Sequence, residues 1–246
     1  SMDMIIPIIV AWSVMFFSAI LVLLLSKFFS FSKEITGSLM LVAILTNSSF
    51  MGIPILNAYM GENALPYVLV YDQLGTFIAL ATYGTFIASY YSSKSQISFK
   101  IIIQKVLTFP PFLSLVFALF LIGVEFNPVI SKVLSSFAST IVPIALVAVG
   151  LQLQFKLPRE EIKPFGIALV IKLLIAPIIA IVICKIFDWN NQASIVSIME
   201  AGMAPMITAG AIASMAGLAP RLSSAIVGYG ILISFITTAI LFNLIS

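Results

Sequence analysis

A chain of 246 residues that is 61% hydrophobic and 9% charged, with mean hydropathy +1.20, carries more apolar surface than a water-soluble fold of this size can cover. The formal charge of +3 comes from 12 basic and 9 acidic side chains, whose placement reads as orientation in a membrane, so no nucleic-acid partner is expected. With no histidine and one cysteine, Cys184, the sequence holds no Ser-His pair, no HExxH zinc site, no Cys/His metal cluster and no internal disulfide.

Eight apolar runs are long enough to cross a hydrocarbon layer of ~30 Å, and runs of this kind point to helices, not a β-barrel. They cover residues 4–26, 35–60, 65–91, 106–124, 128–155, 164–187, 192–216 and 220–245. The first run lacks a basic leader and is followed by its lysine, so it reads as a span, not a signal peptide. Ser1 stands before Met2, and a natural start upstream is expected.

Basic residues orient the spans. The loops after the odd-numbered spans hold Lys27, Lys33, Lys94, Lys100, Lys105, Lys156, Arg159, Lys163 and Arg221, whereas the other side holds Lys132 and Lys185. Nine against two is a positive-inside bias that puts residues 92–105 and 156–163 in the cytoplasm and both ends of this chain outside it.

The second span carries Thr46-Asn-Ser-Ser-Phe-Met-Gly-Ile-Pro54 near mid-membrane. Four consecutive polar side chains are costly against lipid, and Gly52 and Pro54 weaken and interrupt a helix, so a broken helix is expected here. The seventh span is interrupted in the same way at Glu200-Ala-Gly-Met-Ala-Pro205, where Gly202 and Pro205 mark the break. Each interrupted span is flanked by uninterrupted ones. The first three spans thus match the last three in layout but start on opposite sides, an inverted repeat whose paired discontinuous helices mark the binding site of a secondary transporter. A full arrangement of this kind has five plus five spans, of which three plus five are counted here. Two N-terminal spans are therefore expected to be missing from this stretch of sequence.

Half-helices ending at the breaks supply the electrostatics. A half-helix starting at Pro54 would aim free N–H groups and partial positive charge at the gap, and Pro205 followed by Thr208 would do the same from the other side. Anions suit those ends and cations suit the free carbonyls of the preceding halves. Thr46, Asn47, Ser48, Ser49 and Thr208 are therefore candidate ligands for substrate or ion, against the plainer reading that short polar side chains only join helices. Glu200 lies close to mid-depth, where a charge costs ~2.5–3.5 kcal/mol even on the lenient insertion scale. Either a sodium ion or a proton suits it, and the plainer reading is a neutral acid bonded to a neighbouring helix. Asp72 sits nearer the outer end of its span, and Lys172 either snorkels or faces the cavity to attract an anion or offset Glu200. Pro110-Pro111, Pro143 and Gly150 read as geometric.

These residues resemble the auxin efflux carrier family, membrane transporters related to the bile acid:sodium symporters. Asn47-Ser-Ser-Phe-Met-Gly-Ile-Pro54 is similar to the family's Asn-x-x-x-x-Gly-x-Pro crossover, Tyr71-Asp72 to its Tyr-Asp, and Pro143-Ile-Ala-Leu-Val-Ala-Val-Gly150 to its Pro-x-Ala-Leu-x-x-x-Gly. Ser49 stands where glycine is common, Phe109 where asparagine often precedes the prolines, and Met203-Ala204-Pro205 replaces a plain Met-Pro. The resemblance implies an all-helical membrane fold with a core of residues 1–91 and 164–246 and a scaffold at 106–155. It also implies transport of small carboxylate-bearing anions, sodium binding by a glutamate at the position of Glu200, and homodimers formed through the scaffold. A secondary transporter in the plasma membrane, with no enzymatic activity and no cofactor beyond a coupling ion, is the leading expectation. A non-transporting receptor or a channel derived from a carrier is the alternative.

Overall fold

The computed structural model describes residues 2–92, 110–121, 123–152 and 158–245. Most of the loop expected at 92–105, the start of the fourth span with Phe109, and Lys156 lie outside these residues.

Among the described residues ten helices follow one another. They are α1 (Ile5–Phe28), α2 (Lys33–Val42), α3 (Ile53–Met60), α4 (Glu62–Tyr91), α5 (Pro110–Phe120), α6 (Pro128–Gln152), α7 (Arg159–Ile186), α8 (Gln192–Ala201), α9 (Ile207–Met215) and α10 (Pro220–Ile245). Among the described residues, α1, α4, α7 and α10 are long and apolar enough to cross a membrane as single helices. The second and seventh spans are not, because each is split into halves of about ten residues where a crossing takes ~20.

The same local devices recur in the same order before α5 and after α6. α1 ends with Ser30 in the left-handed region (φ 53°) and the Phe31 N–H on the Ser26 carbonyl at 2.9 Å. α7 ends with Asp188 at φ 54° and the Trp189 N–H on the Cys184 carbonyl at 2.8 Å. This is the Schellman closure, which satisfies carbonyls that a helix end leaves free. In each turn the aromatic rings on either side of the left-handed residue pack together, Phe29 with Phe31 and Phe187 with Trp189. Both following helices open on a side-chain cap: Ser32 accepts from the Ile35 N–H, and Asn191 accepts from the Ser194 N–H. The second half of each interrupted span then ends near a glycine at φ 75°, Gly61 and Gly217, a conformation that spares a Cβ clash. Proline stands where regular α-helix begins in each next helix, Pro66 after the opening 3-10 turn of α4 and Pro220 at the start of α10.

Packing draws the interrupted spans inward. α8 lies against α1, α7 and the start of α4, while α2 lies against α9, α10 and the end of α4. Nearly every residue from Thr36 to Ser48 and from Ala193 to Met206 is buried, which is where irregular backbone can persist inside a membrane protein. By contrast α6 turns Val129, Val133, Phe137, Ile144 and Val147 outward, an apolar surface fit for lipid or further helices.

Close packing at the second break rests on Gly230 of α10, where an added Cβ would sit 2.5 Å from Pro205 Cδ. Gly230→Ala is therefore expected to destabilise the protein by about 1–3 kcal/mol, as overpacking does. Gly166→Ala, with open space at its Cβ, is expected to be neutral or slightly stabilising. Thermal unfolding of both variants in detergent checks the contrast.

Candidate functional site

Both interrupted spans turn non-helical in the buried centre, at residues 43–47 and 202–206, and the two gaps pair with each other. The Asn47 N–H donates to the Ala204 carbonyl at 2.9 Å, and the Met206 N–H donates to the Leu45 carbonyl at 3.0 Å. These bonds place Thr46 opposite Pro205 as an antiparallel bridge. In that bridge the directly opposed pair exchanges no hydrogen bonds of its own, so the missing N–H of Pro205 is not needed. The polar run of the second span and the proline of the seventh thus meet at one point.

Helix resumes at Ser48, not at Pro54 as the sequence suggests. Residues Ser48–Gly52 form a π-turn that runs directly into α3, with the Gly52 N–H on the Asn47 carbonyl at 3.1 Å. Pro54 is exposed in the first turn of α3, where the chain passes from the π-turn into α-helix. Gly52 serves a different purpose, because a Cβ there would collide with the Glu200 carboxylate. On the other side Gly202 closes α8 and lets Leu241 and Pro177 pack close to the backbone.

Three side chains from flanking helices serve this crossing. Lys172, fully buried in a π-turn of α7 (Ile171–Ile175), donates from Nζ to Thr46 Oγ1 and to the Ala201 carbonyl, each at 2.8 Å. Its ammonium thereby answers the carbonyl end of α8, where the helix dipole favours a cation. The buried Tyr71 of α4 stands beside the same Thr46 side chain. Asp72, in a π-turn of α4 (Tyr71–Phe77), accepts from Ser48 Oγ and Ser49 Oγ on Oδ1 and from Gln73 Nε2 on Oδ2, all at 2.6 Å. Its carboxylate stands beside the first turn of the resumed half-helix. Single π-turns of this kind re-aim side chains inside helices and concentrate at functional sites.

Glu200 lies at the centre, fully buried, and neither of its oxygens has a hydrogen-bond partner among the described residues. The Nδ2 of Asn47, also buried, is likewise without one. Leaving such groups unpaired in a protein interior is expensive, most of all for a carboxylate. Asp72 and Lys172 both interact electrostatically with Glu200.

The structure accordingly brings together Thr46, Asn47, Ser48, Ser49, Asp72, Lys172 and Glu200. Thr208 is half-buried in the first turn of α9, and no hydrogen bond among the described residues joins it to the others. Two further residues were not singled out from the sequence. Tyr71 was visible only as the neighbour of Asp72, and Tyr83, whose hydroxyl donates to the Met40 carbonyl at 2.8 Å near the end of α2, gave no signal.

Interrupted spans meeting at a buried polar site define a multi-pass membrane protein of the transporter class. The chain belongs to the membrane transport protein family, that of the auxin efflux carriers, whose family model matches residues 1–242. It is similar to an uncharacterized transporter of Methanothermobacter thermautotrophicus, 24% identical over 184 residues, which make up 72% of this chain and 58% of that protein. It is also similar to an uncharacterized transporter of Methanocaldococcus jannaschii, 26% identical over 193 residues, 76% of this chain and 61% of that protein. The matched stretch thus spans about three fifths of the length of each relative.

The Gly52 and Glu200 contact gives a double-mutant test. Gly52→Ala alone is expected to lower stability by about 1–3 kcal/mol, and the same change on a Glu200→Ala background is expected to cost much less, since the obstructing carboxylate is gone. Thermal unfolding of the four proteins of the cycle measures the coupling.

Proposed function

We propose that the protein is a secondary active transporter of small organic anions bearing a carboxylate, working by alternating access around the two crossed breaks. The observation that carries this reading is a fully buried Glu200 carboxylate without a hydrogen-bond partner among the described residues, set against the junction of the two interrupted spans. Such a group is tolerable when it holds a proton or a cation, and releasing that partner changes the energy of the crossing. Glu200 is thus the coupling residue, taking either Na+ or H+. Asn47, with a buried amide donor to spare, is the first candidate to hold the substrate carboxylate.

The recurring turn, cap and break devices before and after the scaffold support an inverted repeat, with residues 1–91 and 164–246 as the moving core and α5 and α6 in the scaffold. The apolar outer face of α6 suits packing against further helices and a homodimer through the scaffold. The distribution of lysine and arginine supports a plasma-membrane orientation with both ends of this chain outside the cytoplasm.

Reconstituted into liposomes, the full natural protein should exchange a labelled monocarboxylate or dicarboxylate across the membrane. Glu200→Gln and Asn47→Ala should each slow that counterflow by roughly tenfold, as loss of an interaction worth ~1.4 kcal/mol does. Both variants transporting at the wild-type rate would place the site elsewhere.

A further inference from the structure

Where α1 ends and α7 begins, basic and aromatic side chains of the two helices meet. Lys163 lays its ammonium over the Phe29 ring, 3.5 Å from the centroid, and the Phe28 ring meets Phe29 edge-on at 4.8 Å. The ring quadrupole attracts a cation at this range, which holds the ammonium in place while N–H groups on its far side stay available. Arg159 stands one turn earlier on the same face of α7, and Lys27 precedes Phe28 in the last turn of α1. All three cations are exposed, and no salt bridge among the described residues engages any of them. The neighbouring acids are turned to other charges: Glu161 interacts with Arg221 at the start of α10, and Glu34 with Lys33 at the start of α2. Glu160 follows Arg159 directly in the chain, a spacing at which two helical side chains do not face each other. Beside the cations Phe28 and Ile162 protrude, 78% and 55% exposed.

We propose that Lys27, Arg159 and Lys163 form a binding site for an anionic phospholipid, its phosphate held among the three cations and its hydrocarbon chain lying against Phe28 and Ile162. A head of one charge and a tail of apolar surface are what this juxtaposition recognises. The distribution of lysine and arginine supports placing this end at the cytoplasmic leaflet, where the membrane surface is negative and basic pockets between helices take up lipid head groups. A lipid bound there joins the end of α1 to the start of α7 and stabilises the folded protein by mass action. The site lies at the helix ends, apart from the crossing of Thr46 and Pro205, and it stands whatever solute is carried.

Native mass spectrometry of the full natural protein in a mild detergent, given phosphatidylglycerol and phosphatidylcholine of the same chain length in equal amounts, tests the site. The wild type should retain the anionic lipid in preference to the neutral one. Lys27→Gln and Lys163→Gln should each lower that retention about threefold to tenfold, the weight of one basic residue near an anionic surface. Lys33→Gln removes the same charge a few residues away, where Lys33 lies over the Tyr90 ring, and should leave retention unchanged. All three lysines are exposed, so the variants should fold as the wild type does. Phosphatidylglycerol should also raise the unfolding temperature of the wild type, whereas sodium phosphate, compared with sodium chloride at equal ionic strength, should not. Equal retention of both lipids by the wild type overturns the site. An equal loss in all three variants overturns it too, because the attraction would then be diffuse charge. Stabilisation by sodium phosphate that matches the lipid's would mean a soluble anion, not a phospholipid, is the ligand.

Discussion

Two peptide hydrogen bonds, Asn47 to Ala204 and Met206 to Leu45, are what the rest of this structure depends on. A helix interrupted inside a membrane protein exposes carbonyls on one side of the gap and amides on the other, and no water is at hand to satisfy them. Each gap here supplies one donor and one acceptor to the other, so neither break is tolerable alone. Once the bridge is made, Thr46 and Pro205 must face each other, Gly230 must remain bare to admit the proline, and Lys172 comes within reach of both spans.

Charge follows from the same geometry. The carbonyl end of α8 meets the Lys172 ammonium, and the Ser48 and Ser49 hydroxyls at the start of the resumed half-helix bond the Asp72 carboxylate, so helix dipoles and side chains are matched in sign at two of the four ends. Glu200 breaks the pattern. Sitting against the bare backbone of Gly52 with no donor to either oxygen, it is the one carboxylate at the crossing whose energy depends on what it takes up. Bonded neighbours around an unsatisfied acid, the spare Asn47 amide aside, are how a site can be rigid in shape and still respond to an ion.

Much of this was legible in the sequence. Four polar residues beside a glycine and a proline at mid-span signalled the first break, and Glu200 with Gly202 and Pro205 signalled the second, because such residues cannot face lipid in an intact helix. The exact place where helix resumes was not legible: Pro54 looks like a start, yet the π-turn from Ser48 absorbs it, and that choice depends on Asp72 and Glu200 arriving from other helices. The purpose of Gly52 was hidden for the same reason, since a glycine's value as bare space exists only once its neighbour is known. A second signal was present and went unread. Lys27-Phe-Phe-Ser-Phe-Ser and Lys185-Ile-Phe-Asp-Trp-Asn share a lysine, then two aromatic residues around a short polar one, and both fold into the same left-handed turn. Thr208 is suggested by the likeness of the two breaks in sequence, and it lies half-buried in the first turn of α9, directly after the second break.

The bridge itself can be measured by replacing its opposed residues. In a Cys184→Ala background, Thr46→Cys and Pro205→Cys would stand about 4.5 Å apart between α-carbons, the spacing of a directly opposed pair without its own hydrogen bonds and within disulfide range. Oxidation with iodine, a small apolar reagent that enters a membrane interior, should join them, and mass spectrometry should recover the linked peptides in high yield. Recovery of both cysteines as free thiols, alkylated after unfolding, would mean that the two interrupted spans do not meet.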